Sequence, residues 1–158
     1  MIIICIPKRK ADFMLVKDIM KKDVLTLGRG ATVKDTLELM TENHAGSVVI
    51  VEGSKIAGIV TEGDILAKIV NENRGLNTEI EKIMTRSVIT ISPTENIEKA
   101  AEIMTESKIK KLPVMNKNKL VGIVTITDIV ASGVDLENEI LQELSKWFPV
   151  KRKTNIAG

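Results

Sequence analysis

Two threonine–aspartate pairs carry the chemistry this chain can offer. Thr61 and Asp64 lie in Gly58-Ile59-Val60-Thr61-Glu62-Gly63-Asp64-Ile65; Thr125 and Asp128 lie in Gly122-Ile123-Val124-Thr125-Ile126-Thr127-Asp128-Ile129, 64 positions later. In each, a hydroxyl ends an apolar strand and a carboxylate follows three residues on, nearly one helical turn, so both can face one cleft. The helix start adds unpaired N–H groups and the positive end of the dipole. Amides and a hydroxyl suit a phosphate, and a carboxylate suits a ribose diol, so the set suits a nucleotide. Thr and Asp here are also ordinary capping residues. Recurrence at identical spacing, on the same Gly-Ile-Val lead, is what favours a ligand site over capping alone.

The elements that must hold these groups repeat as well. Residues 16–66 slide onto 80–130 without a gap, with Ile19/Ile83, Met20/Met84, Val24/Val88, Thr26/Thr90, Met40/Met104 and Lys55/Lys119 among the identities. A repeated unit buries its apolar face on its neighbour. Two copies predict a closed pseudo-dimer with two related clefts. Each copy reads as a one-turn lead (Leu15–Met20, Ile80–Met84), a short strand (Val24–Leu27, Val88–Ile91), then a helix on Val33, Leu37 and Met40 or on Ile97, Ala101 and Met104. Thr32 and Asn96 are the expected N-caps. Second strands follow at Ser47–Val51 and Leu112–Met115. The runs Lys55–Thr61 and Lys119–Thr125 look like central strands buried on both faces, and a second helix starts near Glu62 and Ile126. The order is β-α-β-β-α, twice.

This predicts an α/β (α+β) fold of two repeats packed sheet to sheet about a pseudo-twofold axis, with Ile59, Val60, Ile123 and Val124 in or near a shared core. The expected division is an extension over 1–14, repeat one over 15–73, a linker over 74–78, repeat two over 79–133, and a helix with a basic tail over 134–158. In that last segment Asp135 is expected to cap a helix whose Leu136, Ile140, Leu144 and Trp147 share a face. A half of roughly 60 residues buries only about 60% of its unfolded surface, so the halves should depend on each other.

Composition narrows the function classes. Hydrophobic residues make up 44% and charged residues 28% of the 158, the balance of an ordinary globular chain. One Cys and one His supply too few ligands for a zinc site, and a lone Cys5 suits a reducing cytoplasm. No run approaches the roughly 20 apolar residues of a membrane span. A net charge of +2 argues against a nucleic-acid footprint over the body; the tail around Lys151, Arg152 and Lys153 is the exception. Phe13, Trp147 and Phe148, the three aromatics, fall outside the repeats and should anchor the termini to the body or to another subunit. No stretch is long enough for a fused catalytic domain, and no metal or base is visible to help Thr and Asp hydrolyse anything. The chain is therefore not expected to be an enzyme.

A duplicated β-α-β-β-α unit ending in G-h-h-[ST]-x-x-D-h, with h apolar, resembles the cystathionine β-synthase (CBS) domain pair over residues 15–132. The resemblance implies a sensor that binds an adenine nucleotide (AMP, ADP or ATP) or S-adenosylmethionine as a regulatory ligand in clefts between the copies, with no obligatory cofactor. It also implies a homodimer. Position by position, Asp64 and Asp128 would hold ribose hydroxyls, and Thr61 and Thr125 ribose or phosphate. Thr26 and Thr90, with the strand residues beside them, would line the adenine end. Gly46-Ser47-Val48 and Lys111-Leu112-Pro113-Val114 would wall the base.

The copies differ where charge matters. Repeat two has Lys108-Ile109-Lys110-Lys111 where repeat one has His44-Ala45-Gly46-Ser47. Lys110 and above all Lys111 are the expected phosphate ligands, with Lys108 and Lys110 equally suited to a solvated helix end. The lysines are expected to favour the cleft of Thr125 and Asp128 over that of Thr61 and Asp64. His44 is expected to end a helix. Two other functions compete: a ligand-free oligomerisation scaffold, and a nucleotide-sensing nucleic-acid binder working through the basic tail. A sensor of this kind is expected to act through a regulated partner protein or through self-assembly.

Overall fold

The computed structural model describes residues 14–147. The expectations for Phe13, Phe148, the side chain of Trp147 and the basic tail lie outside the described residues. Repeat one runs α1 (Val16–Ile19), β1 (Thr26–Gly28), α2 (Val33–Glu42), β2 (Ser47–Glu52), β3 (Lys55–Thr61) and α3 (Glu62–Glu72). Repeat two opens on a 3₁₀ turn, Ile80–Lys82, and continues α4 (Ile97–Ser107), β4 (Lys111–Asn116), β5 (Lys119–Thr125) and α5 (Ile126–Ala131); α6 (Asn138–Trp147) follows. The fold is mixed α/β, built from two repeats.

Local chemistry accounts for most boundaries. Asp35 N–H donates to Thr32 Oγ1 at 3.2 Å, and Asp35 Oδ2 accepts from Thr32 N–H at 2.7 Å, closing a capping box on α2. Asn96 Oδ1 accepts from Lys99 N–H at 2.7 Å and caps α4. His44 and Lys108, 64 positions apart, both take a left-handed backbone just past a helix, with φ of 50° and 56°. Helix α6 begins at Asn138, so Asp135 stands too far ahead to cap it. Leu136, Ile140 and Leu144 nevertheless pack in the second core.

The sheets differ from expectation in two ways. Strand order is β1-β2-β3, with β1 parallel and β3 antiparallel to β2, so β2 is central and the apolar β3 is an edge. That edge is covered: Ile59 and Thr85 exchange both backbone hydrogen bonds, at 3.0 and 2.9 Å. Repeat two lacks the first strand altogether. Its sheet is β4-β5, and Val88–Ile91 contributes a single parallel bridge, Ile91 to Val114. The cause is Pro113. In repeat one, Val49 N–H donates to Leu25 O at 2.9 Å. The matching position is Pro113, which has no N–H to offer Ile89.

There are two cores rather than one shared core. Val60 belongs to the first, with Val33, Met40, Val48, Ile50 and Ile65; Val124 belongs to the second, with Ile97, Met104, Leu112, Val114 and Ile129. The leads are exchanged between them. Val16, from repeat one, is fully buried in the second core, whereas Ile80, Ile83 and Met84, from repeat two, are buried in the first. Ile59 and Ile123 take the junctions, since Lys21 pairs with Ile123 as Thr85 pairs with Ile59. Leu15 pairs with Asn96 as Glu79 pairs with Thr32. Each contact maps onto the other at the 64-residue offset, which is the signature of an isologous pseudo-twofold junction.

Candidate functional site

The pseudo-twofold generates two clefts, each walled by both repeats. Cleft one, of about 510 Å³, is lined by Thr61, Glu62, Gly63 and Asp64 from the start of α3, and by Lys108–Lys111 and Pro113 around β4. Gly46, Ile59, Thr85, Ser87, Val88 and Ile89 complete it. Cleft two, of about 270 Å³, has the matching residues: Thr125 and Ile123, then His44–Ser47 and Val49, then Lys21, Asp23, Val24 and Leu25. The first volume lies within the roughly 300–1,000 Å³ typical of small-molecule sites, and the second just below it.

Both threonine–aspartate pairs are capping boxes. Thr61 donates to Asp64 Oδ2 from its hydroxyl and from its N–H, each at 2.8 Å, and Asp64 N–H donates back to Thr61 Oγ1 at 3.2 Å. Thr125 and Asp128 do the same, at 2.8 Å from the hydroxyl, 2.9 Å from the N–H and 3.2 Å for the return bond. The capping and ligand readings therefore coexist: the box uses Oδ2 alone and holds the carboxylate rigidly at the rim. The other oxygen differs between clefts. Asp128 Oδ1 is 3.9 Å from Lys21 Nζ, at a carboxylate only 12% exposed. The residue matching Lys21 in cleft one is Thr85, which cannot form such a pair.

The lysine run reverses the expected asymmetry. Lys108, Lys110 and Lys111 line the cleft of Thr61 and Asp64, not that of Thr125 and Asp128; among them only Lys111 also reaches cleft two. The reason is the symmetry itself. A helix start from one repeat faces the β2 or β4 start of the other, so motifs that belong to one copy in sequence belong to different clefts in space. Within each repeat one backbone bond holds the helix start beside the start of its own β2 or β4: Glu62 N–H to Gly46 O at 3.2 Å, and Ile126 N–H to Lys110 O at 2.9 Å. Burial pushes the Lys111 ammonium below its usual pKa; the Glu62 carboxylate opposes this, Lys21 adds to it, and Asp128 and Lys110 have smaller opposed effects.

Other predicted site residues are placed as follows. Gly46, Ser47, Lys110, Lys111 and Pro113 line clefts. Val48, Leu112 and Val114 are core residues at or near zero exposure and reach neither cleft, because alternate side chains of β2 and β4 point inward. Thr26 and Thr90 line neither cleft; Leu25 and Ile89, one residue earlier, do, since successive residues of an extended chain face opposite ways. Asp128 meets cleft two through Lys21. Sequence reasoning missed Glu62, Lys21 and Val88, whereas Ile89 and Leu25 are among the strand neighbours expected beside Thr90 and Thr26. Lys21 and Glu62 break the repeat at aligned positions, opposite Thr85 and Ile126, and that departure was the available signal. Among the described residues no cluster of His, Cys, Asp and Glu could hold a metal, and no helix is long and apolar enough to cross a membrane.

The CBS domain model matches twice, at residues 16–71 and 80–135. The chain is 28% identical over 123 residues to the CBS domain-containing protein YhcV of Bacillus subtilis, covering 78% of this chain and 88% of that one. It is 34% identical to the mitochondrial CBS domain-containing protein CBSX3 of Arabidopsis thaliana, covering 74% of this chain but 60% of the relative. Among solved structures, the CBS domain pair of protein MJ0100, in complex with 5'-methylthioadenosine and S-adenosyl-L-methionine, is 33% identical with a TM-score of 0.69, covering 75% of this chain and 94% of that one.

Proposed function

Since this chain belongs to the CBS domain family, we propose that it is a regulatory module whose clefts take an adenosine-containing ligand and that it acts on a partner rather than by catalysis. The observation that carries this reading is cleft one. It gathers on one cavity a rigid carboxylate and hydroxyl, Asp64 and Thr61, three lysines, and the apolar Val88, Ile89 and Pro113. A ribose fits the first group, a planar base the apolar residues, and an anionic tail the lysines. The related MJ0100 pair holds two adenosine derivatives, which supports the same ligand class here. The cationic character of the lysine end favours a nucleotide phosphate over an uncharged thioether tail.

The module is proposed to work as a homodimer. Leu66 and Val70 on α3 and Val130 on α5 are each more than half exposed, and Leu66 and Val130 occupy matching positions in the two repeats. Paired apolar patches related by the pseudo-twofold suit a symmetric interface. Ligand binding would act by favouring one arrangement of the repeats over another, to the extent of its differential affinity.

Calorimetry and thermal shift with AMP, ATP and S-adenosylmethionine test the reading. A bound nucleotide should raise the melting temperature as RT ln(1 + [L]/Kd) requires. Asp64→Ala should weaken ATP by about 10- to 150-fold, the loss of one charge-assisted hydrogen bond, whereas Asp128→Ala should leave the tighter event nearly intact. Failure of all three ligands to bind would leave the oligomerisation scaffold as the better reading.

A further inference from the structure

Gly46 and Lys111 are the two residues common to the walls of both clefts. They sit where the starts of β2 and β4 meet near the pseudo-twofold axis. At the 64-residue offset, Gly46 matches Lys110 and Lys111 matches Ser47, so the axis carries one crossing side chain rather than a symmetric pair. Gly46 makes the crossing feasible. A Cβ there would stand 3.0 Å from Lys111 Nζ and 3.7 Å from Glu62 Oε2, so a side chain would fill the space the ammonium occupies. Around that ammonium stand Glu62 and Lys110 from the side of cleft one and Lys21 and Asp128 from the side of cleft two.

We propose that Lys111 is a single ammonium shared by the two clefts, so that a phosphorylated ligand in cleft one withdraws it from cleft two and weakens anion binding there. The proposal rests on the nucleotide reading above and adds its regulation. Half-buried and flanked by carboxylates on both sides, Lys111 has two alternative anionic environments and one charge to give. A phosphate in cleft one fixes it there by charge-assisted hydrogen bonds. Cleft two then keeps Lys21, already engaged with Asp128, as its cation, and Ser47 offers no replacement. Linkage makes the effect reciprocal: an anion in cleft two must weaken cleft one by the same factor. The module would fill one cleft at low nucleotide and the second only at much higher concentration, which widens the range over which it responds.

Methyl NMR on the full chain separates the clefts, with Ile89 reporting cleft one and Leu25 cleft two. ATP is titrated into the wild type and into Asp64→Ala, in which cleft one fills late. With cleft one empty, the Leu25 midpoint should move to about 5- to 10-fold lower ATP, within the usual range of coupling between sites. In the Lys111→Met background the same comparison should give a shift below about twofold. Gly46→Ala should reduce the coupling in the same direction, and uncharged adenosine should show none in any variant. An undiminished shift in Lys111→Met, or no shift in the wild type, overturns the sharing while leaving the nucleotide reading intact. If neither reporter moves with ATP or with S-adenosylmethionine, both fall.

Discussion

The sulfur of Met84 lies 2.5 Å from the point where a Cβ on Gly58 would stand, and Met20 stands in the same relation to Gly122, at 2.6 Å. The glycine of each Gly-Ile-Val-Thr run thus opens the strand to the lead of the other repeat. The motif has two halves with separate purposes: glycine seats the exchanged lead, and threonine with aspartate caps the helix at the cleft.

Gly58→Ala should therefore destabilise the protein by about 1–3 kcal/mol, the usual cost of overpacking. Trimming Met84 should recover only part of this, because Thr85 O also lies 2.9 Å from the added Cβ and is backbone. Chemical denaturation of the single and double variants measures both. A loss under about 0.5 kcal/mol, the range of surface substitutions, would mean the junction is soft.

Exchanged leads predict where the chain can be cut. A fragment spanning 15–73 omits Ile80, Ile83 and Met84 from the first core and leaves Val16 without its own core. A fragment spanning 24–86 keeps the first core whole. Circular dichroism and proteolysis should find the second fragment the better folded, although a half of this size is marginal. The reverse ranking would show that the cores tolerate loss of the leads.

Pro113→Val should restore the missing donor of repeat two. The expected outcome is one new slowly exchanging amide at position 113, bonded to Ile89 O, and a gain of about 0.5–1.5 kcal/mol. Hydrogen exchange reads this directly. A freely exchanging amide at 113 would assign the lost strand to something other than proline.

Lys111 gives the clefts a pH dependence. Its folded pKa lies below the ordinary 10.5, chiefly through burial, so the ammonium is lost earlier on alkalinisation than in the unfolded chain. The unfolded state holds more protons in that window, so the unliganded fold gains stability as pH rises through it. A bound phosphate favours the ammonium, so ATP affinity at cleft one should fall over the same window. Calorimetry from about pH 8 to about pH 10 should show this in the wild type and a flatter profile in Lys111→Met, with Glu62, Lys21, Lys110 and Asp128 unchanged as background. Parallel profiles would place the titrating group elsewhere.

Much of the architecture was legible because it depends on local pattern. Helices α2 and α4 sit on the periodic residues Val33, Met40, Ile97 and Met104, with Thr32 and Asn96 as caps, since periodicity and capping operate within a turn. The threonine–aspartate boxes were legible for the same reason. β-branched residues mark Val88–Ile91 as extended, whereas its pairing as a strand depends on a donor to Ile89 O from the distant position 113, which as proline has none. Thr26, Thr90, Val48, Leu112 and Val114, which the family resemblance assigns to the clefts, lie next to lining residues rather than among them. In an extended chain neighbours face opposite ways, so adjacency in sequence is the wrong guide.

The sequence by itself determined the duplication, the two capping boxes, and the inequality between Lys108-Ile109-Lys110-Lys111 and His44-Ala45-Gly46-Ser47. Only the tertiary structure decided which parts share a cleft. Exchange of the leads about the pseudo-twofold puts Asp64 in one cleft with Lys108 and Lys110, sets Asp128 beside Lys21 and leaves Lys111 reaching both clefts, against the expectation that the lysine run serves Asp128 of its own copy. The physical reason is that residue types and spacing act within one element. The partner across a cleft is chosen by which apolar faces bury each other, and here each repeat completes its core with a segment of the other.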